Sequence, residues 1–244
     1  MRLKNKLAIV TGAGSGFGAG IARRFAEEGA RVIVNDVDAK GEKVAKEIGG
    51  RFVQADVTRA ADWAKLVREA GEELAIVVNN AGWTHRNKPY LEVSEVEFDK
   101  VFAVNVKSVY LSAMHAVPVF RRRGGGCFVN IASTAGLRPR PGLTVYSSSK
   151  GAVILLSKSM AAEFGPDKIR VNCVNPVFSP DTGLSAEFAG GSVTEEAKKR
   201  FMATIPLGRF STPRDVANAC LYLASDEAAM VSGVCIEVDG ARCV

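Results

Sequence analysis

The chain of 244 residues is poor in the side chains that metal and disulfide chemistry requires. Its two histidines, His85 and His115, offer no metal-ligand spacing. Its five cysteines form no C-x-x-C pair, and three of them lie within apolar runs, which predicts reduced core thiols. We therefore expect no metal site, and a metal-dependent hydrolase is disfavoured.

A long hydrophobic run is also missing. No stretch reaches the roughly 18 unbroken apolar residues of a membrane span, and residues 1–6 contain no apolar segment of a signal peptide. The sequence thus predicts a cytoplasmic protein that makes no membrane contact.

The net charge of +6 raises the alternative of nucleic-acid binding. The one dense basic run, residues 121–123, stands directly before three glycines at 124–126. Cations in the last turn of a helix and a glycine after it are typical of a helix end. We therefore interpret this run as a helix terminus and expect no nucleic-acid partner.

Apolar runs of strand length alternate along the chain with apolar residues at helical spacing. Strands are predicted at 6–10, 31–34, 51–57, 74–78, 127–131, 169–175 and 235–240. Helices are predicted at 17–28, 62–71, 94–123, 146–164 and 213–224, and the third begins with the capping box Ser94-x-x-Glu97. This alternation predicts a single α/β domain over 1–244, with a doubly wound, seven-stranded parallel sheet and helices on both faces.

A glycine-rich loop joins the first strand to the first helix. Gly12, Gly14, Gly16 and Gly18 lack a Cβ where a pyrophosphate approaches the backbone, and the first amides of the helix supply donors to it. At the tip of the second strand, the Asp36 carboxylate can accept hydrogen bonds from ribose hydroxyls and repel a 2′-phosphate. Asp36 therefore favours NAD over NADP, although Asp36 as a plain turn residue is the alternative.

Tyr146 and Lys150 are spaced i,i+4, so in a helix both side chains lie on one face. A fixed ammonium near a phenol favours the phenolate, and we expect Lys150 to lower the pKa of Tyr146 and make it an acid or base. Ser133 follows a buried strand, which places its hydroxyl at the sheet edge where ligands of such folds bind. The Y-x-x-x-K pattern alone is common on surfaces, so the neighbouring motifs decide its meaning.

Those motifs have the order and spacing of a known family. The chain contains Thr11-Gly12-x-x-x-Gly16-x-Gly18, Asn79-Asn80-Ala81-Gly82, Asn105, Ser133 and Tyr146-x-x-x-Lys150. Over essentially its whole length it resembles the short, single-domain branch of the short-chain dehydrogenase/reductase family, whose domain is a Rossmann fold.

The resemblance implies roles for individual residues. The catalytic set is Ser133, Tyr146, Lys150 and Asn105, the last through a helix distortion that holds a water between the lysine and solvent. Asp56 and Val57 are expected against the adenine. The full set of expected cofactor contacts is Gly12, Ser15, Gly16, Phe17, Gly18, Asp36, Asp56, Val57, Asn80, Ala81, Gly82, Tyr146, Lys150, Pro176 and Thr182.

One segment departs from the family pattern. The sixth strand ends in Pro176-Val177, where the family usually has Pro-Gly, and Thr182 lies one place further along than the usual threonine. Residues 178–200 correspond to the substrate lid, and Gly190-Gly191 within them indicates mobility.

The resemblance implies an NAD(H)-dependent oxidoreductase that interconverts a secondary alcohol and a ketone by hydride transfer, with Tyr146 as acid and base. A 3-oxoacyl-[acyl-carrier-protein] reductase is one alternative. A non-catalytic dinucleotide-sensing or scaffold protein is another, because a fold alone does not establish chemistry. A homo-oligomer, tetramer or dimer, is expected through helices 95–123 and 146–164.

The substrate is expected to be a small alcohol or ketone, with an anionic one as a specific hypothesis. Arg86 follows the fourth strand, and Arg138 and Arg140 lie between Ser133 and Tyr146. We hypothesise that one of the latter two arginines binds a carboxylate, sulfonate or phosphate of the substrate.

Overall fold

The computed structural model of the chain describes residues 1–180 and 182–244. It contains one sheet of seven strands in the order β3-β2-β1-β4-β5-β6-β7, and every neighbouring pair is parallel. The strands are β1 Leu7–Val10, β2 Arg31–Asp36, β3 Arg51–Gln54, β4 Leu74–Asn79, β5 Gly126–Ile131, β6 Ile169–Pro176 and β7 Cys235–Val238. This confirms the predicted fold class.

Helices connect the strands on both faces of the sheet. They are α1 Gly16–Glu27, α2 Gly41–Glu47, α3 Ala60–Ala70, α4 Glu95–Phe102, α5 Ser108–Arg123, α6 Thr144–Phe164, α7 Ser185–Phe188, α8 Glu195–Met202 and α9 Pro213–Ala224. The sequence did not predict α2, α7 and α8, and the helix predicted at 94–123 is divided in two by a π-helical turn at Ala103–Lys107.

The strands bury side chains on both faces because a strand alternates its side chains. In β1, Leu7 and Ile9 pack into a core with α3, α5 and α6, whereas Ala8 and Val10 pack into a second core with α1, α2 and α9. A parallel sheet covered on both faces explains why its strands read as continuous apolar runs.

Local capping agrees with the sequence at two helix ends. Ser94 and Glu97 form the expected capping box at the start of α4. At the end of α5, Gly124 takes a left-handed conformation with φ of 85°, after Arg121, Arg122 and Arg123 in the last turn. The basic run is therefore a helix end, as predicted.

All five cysteines are free thiols, and Cys127, Cys173 and Cys220 are buried. Over residues 1–180 and 182–244, no helix combines the length and apolar character needed to cross a membrane. No cluster of three or more His, Cys, Asp or Glu side chains with metal-binding potential occurs in the same ranges.

Candidate active site

A cavity of about 700 Å³ lies across the carboxyl ends of the strands, from β3 to β6. It is lined by the glycine loop after β1, the ends of β2 and β3, the segments that follow β4 and β5, and the start of α6. The structure brings every cofactor residue expected from the sequence to its wall except Gly18.

The glycine loop fits tightly against its neighbours. Gly12 has φ of 60°, and a Cβ there would lie 2.8 Å from the Cα of Ala81. A Cβ at Gly18 would lie 2.2 Å from the carbonyl oxygen of Gly12. Gly18 therefore shapes the loop from behind the cavity wall, and the bare backbone at Gly12 and Gly16 leaves room for a pyrophosphate against the start of α1.

Asn80 holds the loop to the end of β4. Its side-chain amide donates to the carbonyl oxygens of Thr11 and Gly12 at 2.9 and 3.0 Å. The Thr11 hydroxyl accepts from the backbone amides of Asn80 and Ala81 at 3.0 and 3.1 Å. The Asn80 amide is thus committed to the protein backbone, while Ala81 and Gly82 pass along the cavity.

Asp36 lies at the tip of β2 and lines the cavity. One of its carboxylate oxygens accepts from the backbone amide of Gly14 at 2.8 Å and the other from that of Asp38 at 3.0 Å. Lys40, a residue the sequence analysis missed, lines the same end of the cavity and pairs with Asp38 at 3.3 Å. Both signs of charge are therefore present where the adenosine ribose is expected.

Ser133, Tyr146 and Lys150 meet at the other end of the cavity. Tyr146 and Lys150 follow one another on one face of α6 and are 5% and 4% exposed. The Lys150 ammonium lies 5.7 Å from the centroid of the Tyr146 ring and donates to the carbonyl oxygen of Ile131 at 2.9 Å. The Ser133 hydroxyl interacts with the Tyr146 phenol and also accepts from the amide of Ala135 at 3.1 Å.

The electrostatics of this group correct one expectation. Burial raises the pKa of Tyr146 to about 12, and hydrogen bonding by Ser133 offsets only part of that rise. Burial also lowers the pKa of Lys150 to about 8. The prediction that Lys150 lowers the pKa of the phenol is wrong for the protein alone, because loss of water outweighs an ammonium that is turned toward Ile131.

Asn105 lies in the π-helical turn and is 2% exposed. Its side-chain oxygen accepts from the amide of Trp83 at 2.8 Å, and its nitrogen donates to the Trp83 carbonyl and the Ser149 hydroxyl, each at 2.9 Å. The backbone distortion that the resemblance implied is present. The side chain braces the segment after β4 against α6, close to Lys150, since a Cβ at Gly82 would lie 3.5 Å from both Lys150 Nζ and Asn105 Oδ1.

The segment expected to be the substrate lid, residues 178–200, contributes to one side of the cavity, with residue 181 outside the described residues. Val177, at the position where the family usually has a glycine, is buried and lines the cavity. Thr182 also lines the cavity, and its Cα lies 3.5 Å from the position of a Cβ on Gly16. Helices α7 and α8 add Phe188 and Phe201 to the wall, which no motif in the sequence indicated.

The three arginines of the sequence analysis have different positions. Arg140 lines the cavity, and its guanidinium stacks 4.6 Å from the centroid of the Phe201 ring. Arg138 is exposed and donates to the carbonyl of Arg242 at 2.6 Å. Arg86 is exposed and donates to the carbonyl of Gly190. Arg140 alone of the three reaches the cavity wall.

The sheet order, the glycine loop after β1 and the Ser-Tyr-Lys group at one cavity define a class of nicotinamide-dependent oxidoreductases. A family model described as enoyl-(acyl carrier protein) reductase matches residues 12–241. The chain belongs to the short-chain dehydrogenase/reductase family, as the sequence analysis inferred.

Relatives over the full chain agree with this. It is similar to a 4-formylbenzenesulfonate dehydrogenase of Comamonas testosteroni, with 50% identity over 251 residues covering 99% of each protein. It is 36% identical to a 2-(S)-hydroxypropyl-CoM dehydrogenase of Xanthobacter autotrophicus, covering 98% of this chain and 97% of that protein. The crystal structure of a 3-ketoacyl-(acyl-carrier-protein) reductase of Brucella melitensis with NADH matches with a TM-score of 0.93 and 40% identity, covering 99% of this chain and 100% of that one.

The chain is therefore an oxidoreductase of the alcohol dehydrogenase or ketoreductase type that uses a nicotinamide dinucleotide. This confirms the enzyme predicted from the sequence over the scaffold alternative. The specific alternative of a 3-oxoacyl-[acyl-carrier-protein] reductase is also consistent with these relatives.

Proposed function

We propose that the protein interconverts a secondary alcohol and a ketone with NAD(H), using Ser133, Tyr146 and Lys150. The observation that carries the proposal is the convergence of these three side chains on one cavity whose other end is built from the glycine loop and Asp36. The bound dinucleotide supplies or accepts the hydride.

The protein's own groups handle the substrate oxygen and its proton. The Ser133 hydroxyl donates to that oxygen and orients it toward the Tyr146 phenol. In reduction, Tyr146 gives its proton to the oxygen, for which a pKa raised to about 12 by burial keeps the phenol protonated at neutral pH. In oxidation, Tyr146 takes the proton, and with the dinucleotide bound the charged form of Lys150 would stabilise the phenolate, an effect that burial of the phenol outweighs in the protein alone.

Asp36 supports a preference for NAD. Its carboxylate faces the end of the cavity expected to hold the adenosine ribose, where it would accept from the two ribose hydroxyls and repel a 2′-phosphate. Lys40 acts in the opposite sense, but its ammonium is paired with Asp38. The net preference is therefore for NAD over NADP.

A 3-oxoacyl-[acyl-carrier-protein] reductase is the second candidate. It is favoured by the likeness to the Brucella melitensis reductase and by the description of the family model. Acetoacetyl thioesters of an acyl carrier protein, supplied with NADH or NADPH, distinguish it from a dehydrogenase of small alcohols. Faster reduction of these thioesters than of small aryl ketones would favour the second candidate.

We extend the proposal to the substrate's charge and to the assembly. An anionic substrate is supported by the Comamonas testosteroni relative, whose name specifies a sulfonate, and by Arg140 in the cavity wall. A homo-oligomer is supported by exposed apolar side chains on α4, α5 and α6, among them Phe98, Tyr110 and Leu155. The segment 178–200 serves as the substrate lid, and the five free thiols support a cytoplasmic location.

The proposal is tested by a spectrophotometric screen for reduced nicotinamide. Purified protein is supplied with NAD or NADP and with a panel of neutral and anionic secondary alcohols. We expect turnover of at least one alcohol with NAD, and loss of that turnover in Tyr146→Phe. No turnover of any alcohol or of the corresponding ketones, with either cofactor, would contradict the proposal.

A further inference from the structure

The substrate end of the cavity has an aromatic wall. Phe188 packs edge to face on Tyr146 with ring centroids 5.1 Å apart. Phe178 lies 6.4 Å from Phe188 and stacks on Phe201 at 4.1 Å with an interplanar angle of 15°. All four rings line the cavity, so a continuous aromatic surface leads away from the group that transfers the proton.

A cation stands at the far end of this wall. The Arg140 guanidinium lies over the Phe201 ring at 4.6 Å, and the stacking holds its planar face while its N–H groups stay available. Burial lowers the pKa of Arg140 to about 10, and three further arginines, Arg242, Arg200 and Arg138, act in the same direction. Positive charge is therefore concentrated at this point.

This charge is not neutralised by the described part of the chain. Within residues 1–180 and 182–244, none of Arg138, Arg140, Arg200 and Arg242 forms an ion pair with a carboxylate. Arg242 is 5% exposed, and its Nε has no hydrogen-bond partner there. A buried cation without a counter-charge is costly, so a ligand that brings a negative charge would be stabilised at this place.

The carboxylates of the described cavity wall are remote from it. Asp36 is the last residue of β2 and Asp56 follows β3, whereas Arg140 follows β5. Three strand spacings separate β2 from β5, which is about 14 Å at the usual distance between strands. Over residues 1–180 and 182–244, the cavity thus has its acidic groups at the adenosine end, and at the substrate end a cation without an ion pair beside apolar rings.

We propose that Arg140 is a specificity-determining residue that binds the carboxylate or sulfonate of an aromatic substrate, whose ring packs on Phe188, Phe178 and Phe201 while its carbinol or carbonyl group faces Ser133 and Tyr146. This proposal rests on the proposed function and adds the substrate class to it. A planar ring suits a wall of stacked phenylalanines, and a guanidinium binds a carboxylate or sulfonate by paired hydrogen bonds.

The other cations near the site are less suited to this role. Arg138 donates to the backbone of Arg242, and Arg200 is exposed and outside the cavity wall. Lys100 lines the cavity, but its ammonium lies over the Trp83 ring at 4.3 Å. Among Arg138, Arg140, Arg200 and Lys100, only Arg140 combines a place in the described wall with contact to the Phe201 ring.

The test compares matched substrates in three forms of the protein. The substrates are 1-phenylethanol and its para-carboxylate and para-sulfonate derivatives, and the proteins are wild type, Arg140→Met and Arg123→Ala with NAD. Methionine keeps an unbranched stem against Phe201 without the charge. The control Arg123→Ala removes one positive charge from the exposed last turn of α5. That turn precedes the amino end of β5, so it lies at the edge of the sheet opposite to the cavity.

We expect wild type and Arg123→Ala to prefer at least one of the two anionic alcohols over 1-phenylethanol. In Arg140→Met, kcat/KM for that anion should fall roughly 10- to 100-fold, mainly through KM, because a charge-assisted hydrogen bond is lost. The value for 1-phenylethanol should stay within about threefold, because this substrate carries no charge for Arg140 to bind and methionine keeps an apolar stem against Phe201. Two outcomes would overturn the proposal. One is an equal kcat/KM for 1-phenylethanol and both anionic alcohols in wild type, and the other is an equal loss of kcat/KM for 1-phenylethanol and the preferred anion in Arg140→Met.

A binding measurement separates this proposal from the proposed function. Isothermal titration of 4-acetylbenzoate, 4-acetylbenzenesulfonate and acetophenone into protein with NAD present requires no turnover, because a ketone cannot be oxidised further by NAD. Tighter binding of either anion than of acetophenone, lost in Arg140→Met, supports the anion site even if the alcohols are not oxidised. Absence of that difference rejects the site even if NAD-linked oxidation is found.

Discussion

The ammonium of Lys150 donates to the carbonyl oxygen of Ile131 at 2.9 Å and is thereby anchored on the last residue of β5. The side chain is buried, and burial lowers its pKa to about 8 from an ordinary value of 10.5. In the proposed function a charged Lys150 acts beside Tyr146, whereas its burial makes that charge unfavourable for the fold. The site therefore contains a conflict between function and stability of the kind common in enzymes.

That conflict predicts a pH dependence of stability. Between the folded pKa near 8 and the unfolded value near 10.5, the unfolded chain binds one more proton at Lys150 than the folded chain does. The free energy of unfolding should therefore rise with pH across this window, by about 3 kcal/mol at most for this group. Denaturant unfolding of wild type and Lys150→Met at pH 7 and pH 10 isolates it, because the other groups are shared by both proteins.

The difference in unfolding free energy, wild type minus Lys150→Met, should shift in favour of wild type at the higher pH. A difference that is constant between the two pH values would show that Lys150 keeps an ordinary pKa in the folded protein.

Tyr146 should titrate as a buried phenol. Because burial raises its pKa to about 12, the cofactor-free protein should form no phenolate at Tyr146 below about pH 10. Ultraviolet difference titration of wild type against Tyr146→Phe measures this directly. In the same proteins, ketone reduction should hold its rate across neutral pH, where the phenol is protonated, and alcohol oxidation should rise toward alkaline pH.

The competing outcome for Tyr146 is a midpoint near pH 7 in the difference titration. It would show that the Lys150 ammonium governs the phenol after all, as the i,i+4 spacing had predicted.

Asp36 should determine the choice between dinucleotides. Asp36→Ala removes the carboxylate at the cavity end where the adenosine ribose is expected and leaves Lys40 there, so the variant should bind NAD more weakly and admit NADP. We expect kcat/KM for NAD to fall about tenfold or more, as for loss of a charge-assisted hydrogen bond, and the preference to narrow or reverse. Steady-state kinetics with both cofactors provide the measurement.

Glu42→Ala is the matched control for Asp36, because Glu42 is an exposed carboxylate in the first turn of α2 and does not line the cavity. If Asp36→Ala and Glu42→Ala have the same cofactor preference as wild type, the carboxylate at the tip of β2 does not select the cofactor.

Gly18 should be intolerant of a methyl group although it does not line the cavity. A Cβ there would lie 2.2 Å from the Gly12 carbonyl oxygen and 2.4 Å from the Asn80 amide nitrogen. Gly18→Ala should therefore displace the loop, costing about 1 to 3 kcal/mol of stability and weakening NADH binding. Thermal unfolding and NADH fluorescence titration measure the two effects.

Gly165→Ala provides the comparison for Gly18. Gly165 has helical dihedral angles and no atom within 4 Å of its Cβ position, so alanine should leave stability unchanged or raise it slightly. Equal NADH affinity in both alanine variants would show that the close approach behind the loop is not needed for binding.

Apolar periodicity predicted the main strands and helices because the parallel sheet is buried on both faces, and that burial marks each strand in the local sequence. The short helix α2 was not predicted, because Val44 and Ala45 are its only buried apolar side chains and the residues around them are charged. The part of the cavity wall where the dinucleotide is expected was predictable, because its motifs directly follow strands. The carboxyl ends of parallel strands lie at one edge of the sheet, so the glycines and polar side chains of these motifs meet there regardless of the loop conformations.

The substrate end was less predictable because it depends on tertiary contacts. Phe188 and Phe201 reach the cavity through the path of the chain over α7 and α8. Arg138 and Arg140 have different positions because Arg138 donates to the carbonyl of Arg242, whereas Arg140 packs on the Phe201 ring. The pKa of Tyr146 depends on the number of waters excluded around it, which spacing along a helix does not report.

The most direct test compares wild type with Tyr146→Phe, using alcohol oxidation and NADH binding side by side. Removal of the phenol hydroxyl should lower kcat by at least about 10²- to 10⁴-fold, the usual contribution of a positioned acid or base. NADH should still bind Tyr146→Phe, with Kd changed far less than kcat, because the glycine loop, Asp36 and Lys150 are unchanged and only one of the expected contacts is lost. A variant that keeps its turnover, or that loses NADH binding in proportion to its rate, would show that Tyr146 does not transfer the proton.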